Sequence, residues 1–249
     1  MGIFSKVLGK SSTEDKVKQC AKEASELNSK ANVLVEMERY DEAIILYDRS
    51  ADMWEKIGDF FSKRNFDDRA QDAHRRLYEA MSGKGLVYFR LGSYEDALRC
   101  IDPFLDIYPD NIRNWSNRGM ALFYLGRYEE AMESFDRALG IDPEFTEALC
   151  SKGSCLAHLG RYGESLDLFN KAKDHADIAY FNFPRFTWIS LTGSSTLKPD
   201  VSQACYFKGV VLSMLGRYKE AVDSFDEAIE ARPNFPEATD AKTEALSKI

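Results

Sequence analysis

Three histidines, His74, His158 and His175, and five cysteines, at positions 20, 100, 150, 155 and 205, are the side chains best equipped for catalysis or metal binding. A zinc peptidase would need His-Glu-x-x-His, a phosphate loop would need clustered glycines, and an acyl-transfer elbow would need Gly-x-Ser-x-Gly; none of these is present. His175 stands near Asp174 and Asp177, a grouping that could hold a metal, but a solvated helix end is the favoured reading. Cys150 and Cys155 lie five apart and do not share a helix face, so they read as small core or groove residues. The odd cysteine count and the lack of Cys-x-x-Cys argue against a disulfide framework and for a reducing, cytoplasmic compartment. No enzyme activity, no metal and no cofactor is expected.

A second conspicuous stretch is IAYFNFPRFTWISL, residues 178–191, which sets Tyr180, Phe181, Phe183, Phe186 and Trp188 within nine positions. Pro184 breaks it and Gly193-Ser194-Ser195 loosens the chain beyond it, so these rings do not line one helix face. The segment reads as a plug folded onto the rest of the chain, with an exposed docking patch as the alternative.

The elements that must carry these residues are helical and repeated. Near copies of one motif occur as LGSYEDAL from Leu91, LGRYEEAM from Leu125, LGRYGESL from Leu159 and LGRYKEAV from Leu215, with a weaker MERYDEAI from Met37. Their tyrosines, Tyr40, Tyr94, Tyr128, Tyr162 and Tyr218, are spaced 54, 34, 34 and 56 residues apart, a 34-residue unit with insertions of 20 and 22. Within one unit, Trp115, Met120, Leu122 and Phe123 recur at helical spacing until Gly126. Ala131, Phe135 and Ala138 line a second helix that Pro143 closes. Neither helix could bury its apolar stripe alone, so units must stack.

This pattern resembles the tetratricopeptide repeat. Gly85, Gly119, Gly153 and Gly209 match its small residue in the first helix, and Ala97, Ala131, Ser165 and Ala221 match the small residue of the second. Phe135, Phe169 and Phe225, with Ile101 in one copy, match the aromatic, and Pro109, Pro143 and Pro233 the closing proline. The resemblance implies an all-α, right-handed α-solenoid of about five helix-turn-helix units with two insertions and a C-terminal capping helix. Residues 1–12 are then an N-terminal segment and 13–249 the repeat domain. Its repeats fall at about 24–77, 78–111, 112–145, 146–201 and 202–235, the first and fourth carrying the insertions, and a capping helix covers 236–249. The first copy departs from the pattern, with Ala31 for the packing glycine and Glu38 for the turn glycine, and is expected to turn differently or act as a cap. The 20-residue insertion reads as two lengthened helices forming a protruding hairpin, turning at residues 64–68.

Function must then lie in surface shape. The resemblance implies that first helices line a concave groove, which in part of the family clamps acidic C-terminal tails through Lys, Asn and Arg. Here Asn28 and Asn32 occupy the first two such positions, Gly83 replaces an asparagine, and Arg113 and Asn117 stand where two cations are wanted, so strong binding of such tails is not expected. Leu86, Phe89, Arg90, Arg113, Asn117, Met120, Phe123, Tyr124, Tyr206 and Val210 form the candidate groove, suited to an apolar or aromatic segment of a protein or peptide partner. The net charge of −8 argues against nucleic acid. Residues 1–10, with Ile3, Phe4, Val7 and Leu8 beside Lys6 and Lys10, could touch a membrane surface, but so short a pattern makes membrane contact the lesser expectation. Self-association through residues 178–191 is the remaining alternative, and a homo-oligomer stays open.

Overall fold

In the computed structural model, residues 13–176 and 201–249 are described. The aromatic segment with Tyr180, Phe181, Phe183, Phe186 and Trp188, and the N-terminal segment 1–12, lie outside the described residues. Contacts divide the chain into two units, one ending at Phe104 and the other starting at Leu105. Among the described residues the regular structure is helical throughout, as expected from the repeats.

The first unit contains α1 (Thr13–Glu36), α2 (Tyr40–Ser62), α3 (Asp67–Arg90), α4 (Tyr94–Ile101) and a single 3-10 turn, Asp102–Phe104. The second contains α5 (Ile112–Tyr124), α6 (Tyr128–Ile141), α7 (Thr146–His158), α8 (Tyr162–Ala176), α9 (Val201–Met214), α10 (Tyr218–Ala231) and α11 (Pro236–Leu246). Within each unit every helix packs against the next in chain order, the stacking of an α-solenoid.

The repeated Leu-Gly-Arg-Tyr is a helix stop and a helix start in four residues. Gly126 has φ +75°, its N–H bonds the carbonyl of Phe123 at 2.9 Å, and the Arg127 N–H bonds that of Leu122 at 2.9 Å. That is the left-handed C-terminal cap that glycine favours. Arg127 then reaches forward from the start of α6 to grip both oxygens of Glu130, and Arg39–Glu42, Arg161–Glu164 and Arg217–Glu220 repeat the clasp. Each arginine holds its glutamate below the usual carboxylate range. The pairing keeps the glutamate ionised in the first turn, a position where the helix dipole favours a carboxylate.

The first copy does not turn differently. Glu38 adopts φ +58°, and the same two bonds form, from Glu38 N to Val35 O at 3.1 Å and from Arg39 N to Leu34 O at 2.9 Å. Downstream helix packing fixes the turn, and a non-glycine residue accepts the strain.

The packing glycines make room for rings. A Cβ on Gly119 would lie 2.6 Å from the Phe135 ring, whose side chain is fully buried. The same pairing of small residue and ring joins α7 to α8 and α9 to α10 through Phe169 and Phe225.

The 20-residue insertion lengthens α2 and α3 to 23 and 24 residues, against 13 and 14 for α5 and α6. It is not a free projection. Val17 and Ala24 of α1 pack with Trp54 and Ile57 of α2 and Ala73 of α3, so three long helices share one core. At the other end, Ala238 and Ala245 turn the buried side of α11 toward α9 and α10. No helix among the described residues is long and apolar enough to cross a membrane.

Candidate functional site

In the first unit the candidate side chains are carried by α1 and α3. The Tyr47 hydroxyl, from α2, donates to Asn32 Oδ1 at 2.5 Å, and burial pushes the phenol up to about 12 against the pull of Arg90. Its ring fills the space above Gly83, where a Cβ would meet it at 2.6 Å. The glycine at the position where a clamp would have asparagine is therefore a packing requirement: a longer side chain there would displace Tyr47. Leu86 and Phe89 are half-buried and Arg90 is exposed on α3, with Phe89 edge-on to Tyr94 at 5.2 Å. Asn28 Oδ1 is buried without a hydrogen-bond partner among the described residues.

In the second unit, α5 begins on Asn111, whose side-chain oxygen accepts from the N–H groups of Arg113 and Asn114 at 3.1 and 3.3 Å. That start sets the register of Arg113, Asn117, Met120, Phe123 and Tyr124. Asn117 is buried, Met120 is half-buried and accepts from the Ser151 hydroxyl at 3.3 Å, and Tyr124 is 45% exposed. Phe123 sits edge-on to Tyr124 at 5.6 Å, to Tyr128 at 5.5 Å and to His158 at 5.2 Å. These rings make a partly open aromatic surface between α5 and α7, with edge-to-face contacts that hold its geometry.

The charge of Arg113 reaches Glu147, a residue that sequence reasoning missed. Glu147 opens α7, is 5% exposed and accepts from the Ser116 hydroxyl at 2.9 Å. Burial pushes it up to about 7, opposed by that hydrogen bond and by the charge of Arg113. A glutamate in the first turn of a helix ordinarily reads as a solvated partner of the helix dipole, so the sequence carried no signal of its burial.

Two further candidates, Tyr206 and Val210, are half-buried on α9. Tyr206 packs against Phe207, Phe225 and Phe235 at 5.4, 6.0 and 5.1 Å, and Val210 packs on the cluster of Leu212, Ala221, Phe225 and Ala245. Both serve the joint between α9, α10 and α11, since the last helix pair has no further repeat and the capping helix takes its place.

Four of the five cysteines are shut away. Cys100, Cys150, Cys155 and Cys205 are buried, with the first pushed up to about 11 and the others to about 12 by desolvation, so all four are protonated at neutral pH. Cys205 donates to Glu227, which Lys173 also grips. His175 Nδ1 faces Glu144 at 3.5 Å and His158 Nδ1 faces the Ser154 carbonyl at 2.9 Å. Among the described residues no three His, Cys, Asp or Glu side chains converge as a metal site. The arrangement offers contact surface: half-buried apolar side chains, an exposed tyrosine and an exposed arginine.

Two stretches match the tetratricopeptide repeat family, residues 85–151 and 202–235. No curated protein matches the sequence. Among solved structures, YrrB, described as a tetratricopeptide-repeat protein with an unusual peptide-binding site, aligns at TM-score 0.56 and 19% identity over 94% of this chain and 98% of its own. TTC0263, a tetratricopeptide-repeat protein of Thermus thermophilus, aligns at 0.57 and 16% identity over 90% and 99%. The MamA protein aligns at 0.52 and 18% identity over 69% and 81%. The repeated motif, the left-handed turns and the glycine-to-ring packing agree with these matches: the chain carries tetratricopeptide repeats, matched over residues 85–151 and 202–235.

Proposed function

We propose that this protein is a non-enzymatic protein-interaction module that binds a partner segment on the faces formed by the first helix of each pair. The observation that carries this reading is the side-chain inventory of α3 and α5. Leu86 and Phe89 on one, and Met120, Phe123 and the exposed Tyr124 on the other, stay half-open although each helix has its packing partners in place. Aromatic and methionine side chains of this kind are the common anchors of protein interfaces. Arg90, exposed beside Phe89, can pair with an acidic neighbour in the partner segment. Tyr206 and Val210 on α9, also half-buried, extend the set to the last helix pair, where they pack toward α10 and α11. YrrB, with a similar fold, is described as peptide-binding, which supports the class of partner. The buried, protonated cysteines support a binding role over a catalytic one. The readings of residues 178–191 as a plug or inter-chain docking element, and of 1–10 as a membrane contact, concern residues outside those described.

The test is a quantitative pull-down with the wild-type chain, a Leu86→Glu/Met120→Glu variant and an Ile141→Glu variant on α6, each checked for helical content by circular dichroism. The first variant should lose a partner that the second retains. Equal retention by both would refute the assignment of the face.

A further inference from the structure

The helices α3, α7, α9 and α11 each pack against the second helix of the pair before them. Two positions mark that joint. One is a lysine: Lys84 pairs with Asp48 of α2, Lys152 with Asp136 of α6 and Lys242 with Asp226 of α10. The other, three residues on, is small or apolar and buried, as Val87, Cys155 and Ala245. On α9, Lys208 and the buried Val211 keep the spacing, and α8 puts Asn170 where the other second helices have aspartate. The aspartates share a setting too. AIILYD, AMESFD and AVDSFD, residues 43–48, 131–136 and 221–226, each place a fully buried alanine five residues before the acid. Around Val87, the second helix contributes Ala43, Tyr47 and Ala51 to the shared core. On α1 both positions recur on an open face. Lys30 and Val33 have the same spacing, one place before and two places after Ala31. Yet Val33 is 54% exposed, Met37 one turn on is 58% exposed, and Lys30 is exposed with no ion pair among the described residues.

We propose that α1 from Lys30 to Met37 is a second interaction surface, which takes an amphipathic helix of another protein. That helix presents an aspartate to Lys30 and a stripe of alanine and aromatic side chains to Val33 and Met37. The chain's own joints specify this occupant, because they show what covers the same lysine and the same apolar residue wherever a neighbour is in place. A second copy of the chain is a poor occupant: Asp48, Asp136 and Asp226 are already held by their own lysines. The surface ends at Glu26, which stands where α3, α7 and α9 bury Ala80, Ala148 and Ala204. A partner helix therefore meets about 10 Å of α1, the length of two turns. So short a contact suits a reversible complex. The surface is distinct from the face of α3 and α5 described above, and its assignment does not rest on that reading.

The test uses the full chain, methyl-labelled at Val, Leu and Met, and a hydrocarbon-stapled peptide of α2, residues 40–56, as the probe helix. Methyl NMR should show the Val33 and Met37 signals moving as peptide is added, while Leu86 and Met120 stay in place. Lys30→Asp should weaken binding about fivefold, the scale of an exposed ion pair lost and reversed. A peptide carrying Asp48→Lys should bind the Lys30→Asp chain better than it binds wild type, and Val33→Glu should abolish the shifts. Lys30 and Val33 are exposed, so these substitutions remove no core packing. No movement at Val33 and Met37 by about 1 mM peptide would overturn the proposal, since a specific site weaker than that has no useful affinity. Shifts that ignore the charge swap, or that fall on Leu86 and Met120 instead, would overturn it as well. So would Val33 and Met37 signals that move with protein concentration alone, which would make a second copy the occupant. The pull-down variants at Leu86 and Met120 leave α1 untouched, so the two readings fail independently.

Discussion

Replacing Glu38 with glycine should stabilise the first unit. Glu38 holds φ +58° at the end of α1, where the later repeats place Gly92, Gly126, Gly160 and Gly216 at +72° to +75°. The side chain is exposed and its backbone bonds to Val35 and onward to Leu34 do not involve a side-chain atom, so the substitution removes no packing. A left-handed L-residue costs about 1–2 kcal/mol, which glycine escapes. Glycine also enlarges the conformational freedom of the unfolded chain, at a cost of about 0.4–1 kcal/mol. The difference leaves a gain of about 0.5–1 kcal/mol, or about 1–4 °C in Tm for a chain of this size. Trp54, 6% exposed in the core shared by α1, α2 and α3, reports that unit directly when Trp115 and Trp188 are replaced by Phe. Urea unfolding followed by Trp54 fluorescence in that background should show a higher midpoint for Glu38→Gly. A lower midpoint would refute the claim that the turn is strained and would imply a role for the Glu38 side chain.

Four further outcomes are expected from the same geometry. Gly119→Val should cost about 2 kcal/mol or more, because its first added atom would lie 2.6 Å from the Phe135 ring; differential scanning calorimetry reads the loss. Tyr47→Phe should cost about 1 kcal/mol by removing the bond to Asn32, and in wild type one tyrosine should resist ionisation until about pH 12 in an ultraviolet titration. Glu147 is held above its unfolded value of 4.5, so the folded state binds the extra proton: the stability it confers is full below pH 4.5 and is lost as pH rises through about 7. Charging it costs on the order of 3 kcal/mol. Urea midpoints of Glu147→Gln should therefore fall less than wild type between pH 5 and 8. With the thiol reagent DTNB at pH 8, Cys20, half-buried, should react first and the four buried cysteines only on unfolding.

The repeat was legible in the sequence because its signals are local and chemically forced. Gly126 after an apolar helix can only be a left-handed stop, and Pro143 can only follow a helix end. The lengthened α2 and α3 were legible through Trp54, Ile57 and Phe61, then Ala70, Ala73 and Leu77, at helical spacing on either side of one turn. Their burial against α1 was not, since that depends on which helix lies opposite. Glu38 was misread because its turn is imposed by packing from α2 onward, against the residue's own preference. For the candidate site, Phe89, Met120, Phe123 and Tyr124 are proposed from their place in the repeat. Glu147 was not found, because a first-turn glutamate looks the same whether solvated or buried. Tyr206 and Val210 occupy the equivalent places in the last pair, where the neighbour is a capping helix rather than another repeat.

The most direct test of the binding role is position-resolved photo-cross-linking in cells. A benzophenone side chain is placed at Tyr124 on α5, 45% exposed, and separately at Ile141 on α6, 40% exposed. The two sites are similarly accessible and differ in whether the first or the second helix of a pair carries them. A discrete cross-linked partner is expected from position 124, abolished by Leu86→Glu/Met120→Glu, and none of that species from position 141. The same species captured from 141 but not from 124 would contradict the binding role assigned to the first helices.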